Sequence, residues 1–366
     1  MRILQIGMSY NPGGIESFVM NYVRELTKQG VHFDFISMFP KLAYEDEITA
    51  LGGKVYHTVD GRKRPITFYR QMKKILRMRH YDAVHVNMLS AANIVPVMAA
   101  RHLGVKKVIA HSHNSSTPGV VRNLLHRINK PFLSCFATDY FACSQVAAEW
   151  LFTGKVLKSG KVHLIHNALR LEDFLCTEMQ REEAKKQFRL EDQFVIGHVG
   201  RFEEQKNHLY LIEILKAFTE KRDDVVLLLI GTGELEPAVR QKVQEYGLEK
   251  QVQFLGLRKD VPELLKAMDL FLFPSLFEGL PLVLLEAQAT GILSVVSSAV
   301  THDVDLTKQM QFVSLQDAPE KWAEELEKMA EKRNTRKSPE EIKHLFQEAG
   351  YEIEAAAQQL KLYYEE

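Results

Sequence analysis

The stretch DLFLFPSLFEGLPLVLLEAQATGILSVVSS, Asp269 to Ser298, decides the fold. Asp269 to Pro274 is an apolar run short enough for a strand buried on both faces, the kind found where helices cover both sides of a parallel sheet. A short loop follows, then a helix pattern, then a second strand pattern. Pro281 fits the first helical position, where a missing N–H is no loss and the fixed φ suits the helix. The backbone N–H groups of Gly279, Leu280 and Leu282 would then lie where a strand ends and a helix opens, a site suited to anionic or hydroxyl-rich ligands.

Two carboxylates stand out in this stretch: Glu278 on the loop and Glu286 within the helix. Glu286 is flanked by Leu282 to Leu285 and Ala287 to Ala289, so an unpaired charge there would cost roughly several kcal/mol unless something pairs with it. A ligand is one such partner. A nearby Lys or Arg, or a place on the one exposed stripe of the helix, is the alternative.

The chain has 366 residues, more than one hydrophobic core usually spans, and two domains are expected. Apolar content of 46% is ordinary for a globular protein. Lys plus Arg and Asp plus Glu both number 47, so no net charge argues for nucleic-acid binding. Cys135, Cys143 and Cys176 have the spacing of neither a disulfide framework nor a metal knuckle, which points to a reducing cytoplasm. The N-terminal MRILQIGMSY reads as a strand rather than a signal peptide, and no run reaches the roughly 20 apolar residues of a membrane span. A soluble chain is expected, with at most peripheral contact on the inner face of the membrane.

In chain order, Arg2 to Gly7 reads as a strand, Asn11 to Gly14 as a tight loop and Ser17 to Gln29 as a helix closed by Gly30. The opening lacks G-x-G-x-x-G, which weighs against NAD or FAD, yet Gly13-Gly14 lets backbone N–H groups approach a phosphate. Further strands are expected at Phe33 to Ser37, Lys54 to His57, Ala83 to Val86 and Val108 to His111. Between two of these lies the basic loop Gly61-Arg62-Lys63-Arg64-Pro65, either solvated charge or a contact for a phosphate-bearing acceptor.

At His111-Ser112-His113-Asn114 a strand runs into a polar loop, where parallel sheets bind ligands. His111 and His113 share a strand face, and with His85 they could instead reach a metal, but no carboxylate completes that set. Val120 to Phe136 reads as an amphipathic helix containing Pro131. Val121, Leu124, Leu125, Ile128, Phe132 and Phe136 form its apolar face, and Arg122, His126, Arg127 and Lys130 its basic one. Such a helix packs its apolar face on its own domain or lies on an anionic membrane.

Leu171 to Leu190 is charged and without strand signal, the expected interdomain linker. A second α/β domain then opens with a strand at Phe194 to Val199, the loop GRFEEQKNH (200 to 208) and a helix at Leu209 to Phe218. Arg201 and Lys206 bracket that loop, and two cations at a helix start suit a diphosphate. A local salt bridge to Glu203 or Glu204 is the alternative. Strands at Val225 to Ile230 and Val252 to Leu255 run into Gly231-Thr232-Gly233-Glu234 and Gly256 to Asp260.

Gly13-Gly14-x-Glu16, GRFEEQKN, LIGTGE (229 to 234), FLG (254 to 256) and FPSLFEGLPLVLLEAQATG (273 to 291) together resemble retaining glycosyltransferase family 4. Within it the chain is most similar to bacterial capsular and extracellular polysaccharide enzymes. The resemblance covers nearly the whole chain, and the pair Glu278/Glu286 resembles the family's E-x7-E motif. It implies a GT-B fold, two Rossmann-like α/β domains facing each other across a cleft. Residues 1–168 would bind the acceptor and 169–350 the nucleotide sugar, with a helix in 351–366 crossing back to the first domain.

It also implies a donor diphosphate held by Arg201 and Lys206 and by the Gly13-Gly14 loop. Glu286 would hold ribose hydroxyls, Glu278 with Gly279 and Leu280 the sugar, and Arg258 the base. His113 would contact the transferred sugar; Arg62 and Arg64 of the basic loop and Asn114 of the polar loop are the candidate acceptor-binding residues. His113, Arg201, Lys206 and Glu278 are the expected catalytic set. The partners implied are a nucleotide-sugar donor, UDP-linked by expectation, and a saccharide or lipid-linked saccharide acceptor, with contact to an anionic membrane surface and no nucleic acid. No cofactor and no metal are expected. Asn207, where relatives carry Gly, and Leu293, where Pro is common, are the departures. A nucleotide-sugar 2-epimerase of the same fold and a non-catalytic sugar-binding module are the alternatives.

Overall fold

The structure is a computed structural model that describes every residue except Pro12, Pro118 and Gly279. The chain divides into two compact units, Met1–Leu169 with Gly350–Glu366, and Arg170–Ala349.

The first unit is built on seven strands: β1 (Arg2–Ile6), β2 (His32–Ser37), β3 (Val55–His57), β4 (Ala83–Met88), β5 (Lys107–Ser112), β6 (Asp139–Ala142) and β7 (Val162–Leu164). They pair in parallel in the order β3-β2-β1-β4-β5-β6-β7. The order reverses between β1 and β4, the switch point where doubly wound sheets open a crevice beyond the carboxyl ends of the strands. Gly7 makes that edge tight. Its φ is +116°, and a Cβ there would come within 2.2 Å of the Asn87 carbonyl oxygen.

The second unit repeats the design with β8 (Phe194–Val199), β9 (Val225–Ile230), β10 (Val252–Gly256), β11 (Leu270–Phe273), β12 (Leu293–Ser297) and β13 (Met310–Val313). Their order is β10-β9-β8-β11-β12-β13, again all parallel, with the reversal between β8 and β11. Phe271, Leu272 and Phe273 are fully buried, as a strand covered on both faces requires. Gly231, at φ +139°, lets the loop after β9 press on the loop after β8. A Cβ there would lie 2.1 Å from the Gly200 carbonyl oxygen.

Several sequence expectations need correction. The first helix is Gly14–Lys28, three residues earlier than Ser17, so Gly14 lies in its first turn. Pro281 caps rather than begins the Leu282–Ala289 helix: its ψ of 109° is extended. Leu171 to Leu190 is no linker but holds a helix, Glu178–Phe188, started by a Thr177/Gln180 capping box. Its Arg181 is buried and donates to the carbonyls of Lys266, Met268 and Thr290, which explains a helix with little apolar signal. Beyond these corrections, a Pro339–Glu348 helix ends before Gly350 (φ +75°) and Ile353–Glu365 follows as a separate helix. The second of these belongs to the first unit, tied there by Leu169 N–H to the Tyr351 carbonyl and by Ile353 N–H to the Leu169 carbonyl.

The largest correction concerns the Val120–Phe136 helix: it has the expected bounds, but of its two readings the one that packs the apolar face on its own domain is overturned. His126 and Leu133 face inward, while Val121 is 72% and Phe132 55% exposed. Hydrogen bonds outrank the apolar stripe here. His126 Nδ1 accepts from the Ala91 N–H at 3.0 Å, its ring stacks on Trp150 at 4.0 Å, and Lys130 Nζ donates to the Glu149 carbonyl at 2.7 Å.

Candidate functional site

In the second unit the site lies at the carboxyl edge of β8 and β11. The loop after β8 turns back through Asn207, whose left-handed backbone (φ +56°) starts the His208–Thr219 helix. Its side chain donates to the Pro274 carbonyl at 3.1 Å, so it also ties the two loops together. Gln205 does the same through the Phe277 carbonyl, at 3.0 Å.

That stitching brings Lys206 to Glu278. The ammonium donates to Glu278 Oε1 at 2.6 Å, both side chains are largely buried, and Nζ lies 4.7 Å from the centroid of the Phe273 ring. An ammonium has three donors, so the pair leaves Lys206 with protons to offer an anion. Beneath it His198 and His208 are buried, and burial holds His198 well below the usual histidine range and His208 down to about 4. Lys206 therefore sits on neutral neighbours.

Glu286, one turn into the Leu282–Ala289 helix, differs from Glu278 in having no hydrogen-bond or ion-pair partner among the described residues. Lost hydration pushes its carboxyl up to about 7. Of the two readings the sequence left open, pairing with a nearby Lys or Arg is not what the described residues show. A half-buried carboxylate beyond a strand end, unpaired by protein, is suited to accept from hydroxyl groups of a ligand.

The other expected donor groups are placed more loosely. Arg201 is exposed and pairs with Glu203 at 2.9 Å. Arg258 is held by Asp260 through Nε at 2.8 Å and Nη2 at 2.5 Å. Leu280 is half-buried beside the helix start, and Gly279 lies outside the described residues.

In the first unit the carboxyl edge is neutral and hydrogen-bonded. Tyr364, from the C-terminal helix, lies 2.6 Å from His85 Nδ1, and His85 Nε2 lies 2.9 Å from His111 Nδ1. The His111 and His113 rings lie 4.0 Å apart, tilted by 31°. Asn87 donates to Gln5 Oε1 and the Ile6 carbonyl, which leaves its Oδ1 to accept from His113 Nε2 at 2.8 Å. His113 Nδ1 is then the acceptor of the ring, available to a hydroxyl donor. Burial pushes both His85 and His113 down to about 3 and His111 well below its usual range, so all three are neutral near pH 7.

The supporting residues Gln5, Asn87 and Tyr364 went unnoticed in the sequence. Their signal was there: His85 and Asn87 are polar at i and i+2 in an otherwise apolar strand. Gly13 and Gly14 open the first helix, where the buried Glu16 accepts from the Ser9 N–H at 2.7 Å. Arg62 lines a cavity of about 230 Å³ beyond β1 and β4, whereas Arg64 precedes the Pro65–Met78 helix and Asn114 bonds back to the Ser116 carbonyl. Among the described residues no group of three or more His, Cys, Asp or Glu side chains could hold a metal ion, and no helix is long and apolar enough to cross a membrane.

Residues 12–173 match the family described as Glycosyltransferase Family 4, and residues 179–344 match Glycosyl transferases group 1. EpsF of Bacillus subtilis, a glycosyltransferase by name, is 31% identical over 361 residues, 96% of this chain and 93% of its own. The Escherichia coli UDP-Gal:alpha-D-GlcNAc-diphosphoundecaprenol alpha-1,3-galactosyltransferase is 32% identical over 64% of each chain. CapH of Staphylococcus aureus, a capsular polysaccharide biosynthesis glycosyltransferase, is 23% identical over 90% of each. Among solved structures, Anabaena HepE in complex with UDP superposes with a TM-score of 0.79 at 18% identity, over 99% of both chains.

Proposed function

The chain belongs to the glycosyltransferases of family 4 and group 1, and from that premise we propose that it moves a hexose-type sugar from a UDP-linked donor to a saccharide carried on a lipid diphosphate, with retention and without a metal, in bacterial surface-polysaccharide synthesis. The observation that carries this reading is the edge of the second sheet, where a buried Lys206–Glu278 pair stands with a carboxylate, Glu286, that no described protein group satisfies. UDP supplies the complement: a diphosphate for the cations and a ribose diol for Glu286.

Breaking the sugar–phosphate bond places extra charge on the diphosphate. Lys206 and Arg201, with the N–H groups at the start of the Leu282–Ala289 helix, stabilise that charge more than the ground state, which is how fixed donors raise a rate. Glu278 accepts from sugar hydroxyls, and His113 Nδ1 from the transferred sugar. The acceptor hydroxyl attacks the face the diphosphate leaves, and the departing phosphate oxygen takes its proton. UDP-hexoses are α-linked, and the Escherichia coli relative is named for an α product, which supports retention. The same name, and that of a Campylobacter jejuni relative acting on a diphospho-undecaprenol-linked sugar, support the acceptor class.

UDP release from a panel of UDP-sugars, with and without undecaprenyl-diphosphate-linked N-acetylhexosamine, tests this. UDP formed only when both are present is expected. Binding of UDP-sugars without turnover on any such acceptor would refute the transferase reading.

A further inference from the structure

The proton positions along the first carboxyl edge follow from one backbone carbonyl. The Asn87 side chain must turn its amide nitrogen to the Ile6 carbonyl, 3.2 Å away, because two oxygens there would repel. The same nitrogen donates to Gln5 Oε1 at 2.9 Å, so Gln5 turns its own amide nitrogen to Tyr364 Oη at 3.3 Å and to His85 Nδ1 at 3.4 Å. The Tyr364 hydroxyl therefore accepts from Gln5 and donates to His85 Nδ1 at 2.6 Å. Burial keeps His85 and His111 neutral. His85 then carries its hydrogen on Nε2 and donates it to His111 Nδ1 at 2.9 Å. His111 in turn holds its hydrogen on Nε2, which has no hydrogen-bond partner among the described residues. On the far side of Asn87, Oδ1 accepts from His113 Nε2. Two branches thus leave the Gln5–Tyr364 contact, one through His85 to His111 and one through Asn87 to His113, and they end on adjoining rings.

We propose that Tyr364 is a positioning residue for sugar transfer: its hydroxyl fixes the Gln5 amide and the tautomers of His85 and His111, and through them the orientation of the His113 ring. The proposal rests on the transferase reading above, in which His113 Nδ1 meets the transferred sugar. Tyr364 reaches this place because the Ile353–Glu365 helix buries one stripe, Ile353, Ala357, Leu360 and Tyr364, against the first unit. Phenylalanine would fill the same space, but here the side chain both accepts and donates. Without the hydroxyl the His85–His111 bond has no set direction, since His111 Nδ1 could equally donate to His85 Nε2. Gln5 would also lose the acceptor that keeps its Oε1 turned to Asn87. Gln5, His85, Asn87, His111 and Tyr364 are each at most 5% exposed, so solvent does not compete for these groups. Phe18 closes the other side, 4.9 Å from His111 at 90° and 4.8 Å from His113 at 66°, which leaves the two rings little room to turn independently.

Nitrogen-15 histidine spectra of the free wild type test the polarity without any variant. Protonated Nε2 and unprotonated Nδ1 on His85, His111 and His113 are expected near neutral pH, and a proton on His85 Nδ1 overturns the proposal. Tyr364→Phe should average the His85 and His111 signals between tautomers. With the UDP-sugar turned over in the panel above, it should lower kcat about 3- to 10-fold at unchanged UDP affinity. Tyr363→Phe, on a ring that meets His163 instead, should change neither. Added to Asn87→Ala, Tyr364→Phe should cost no more than about 2-fold further, because both act on one ring, whereas a residue that only packs the helix costs the same factor in either background. Unfolding temperature and UDP binding establish that each variant is folded. Unchanged kcat in Tyr364→Phe, a matching loss of UDP affinity, or losses that multiply in the double variant overturn the proposal. A wild type that turns over no UDP-sugar defeats the transferase reading instead, and the spectra then judge the hydrogen-bond polarity by themselves.

Discussion

At the edge of the first sheet His85, His111 and His113 are neutral and linked to one another, to Asn87 and to Tyr364, whereas at the edge of the second Lys206 and Glu278 form an ion pair and Glu286 stands unpartnered. Six strands follow the same order in both units, the first sheet adding β7 at its edge, with a reversal beside the first strand of each sheet. On the proposed reading the chemistry differs because the two edges meet different groups of the substrates. Hydroxyl groups are met well by neutral acceptors held in place, which cost little to bury when bonded to each other. A diphosphate and a ribose diol need charge, and charge kept ready in a half-buried place lowers the stability of the fold.

The sharpest way to break the comparison is to remove the cation. Lys206→Ala should lower kcat/KM for UDP-sugar transfer by about 10²–10³-fold, the range seen when one fixed donor to developing charge is lost. Arg201→Ala should cost less, about 10-fold, and should lower turnover more than donor affinity; an unchanged kcat would remove Arg201 from the mechanism.

Glu286→Gln should act in two directions. UDP-sugar affinity should fall by about 10-fold, since hydrogen bonds to a charged group are lost, while the free protein becomes more stable at pH 8. Folding raises this carboxyl from its ordinary 4.5 to about 7, so the folded state holds the proton more tightly than the unfolded one. The wild type is therefore penalised progressively as pH rises from 4.5 to about 7, by on the order of 3 kcal/mol in full. Urea unfolding of both proteins should show the difference at pH 8 and little of it at pH 4.5.

Asn87→Ala tests the neutral edge. It frees the His113 ring, so turnover should drop by about 3- to 10-fold while UDP affinity stays the same. Loss of UDP affinity would show that the two edges are not chemically separate. Arg258→Ala, which removes only an exposed pair with Asp260, should change stability least of all.

Much of this was legible in the sequence, and the parts that were not have physical causes. Val225–Ile230 is a continuous apolar run and Phe194–Val199 a mainly apolar one, both bounded by clear turn signals, and the structure has them at the expected bounds. Asp139–Ala142, Val162–Leu164 and Met310–Val313 are short and mixed in character, with too little pattern to read. Glu286 was conspicuous because a carboxylate in an apolar helix needs a reason, and Glu278 because it stands eight residues before it on the loop that leads into that helix. The Lys206–Glu278 contact spans 72 residues and depends on which strands are neighbours, which no local pattern records. The Val120–Phe136 helix misled for the opposite reason. Its periodicity fixed where it runs, but His126 and Trp150, joined across the fold, decide which side faces in.

Glu286 as a carboxylate held for a ribose diol is the central claim, and calorimetry of UDP-glucose binding at pH 6.5, in two buffers of different ionisation enthalpy, tests it most directly. The wild type should release a proton on binding, because a carboxyl with a pKa of about 7 must ionise to accept both hydroxyls, and Glu286→Gln should bind about 10-fold more weakly with that proton absent. Equal affinities and equal proton release in the two proteins would contradict the account.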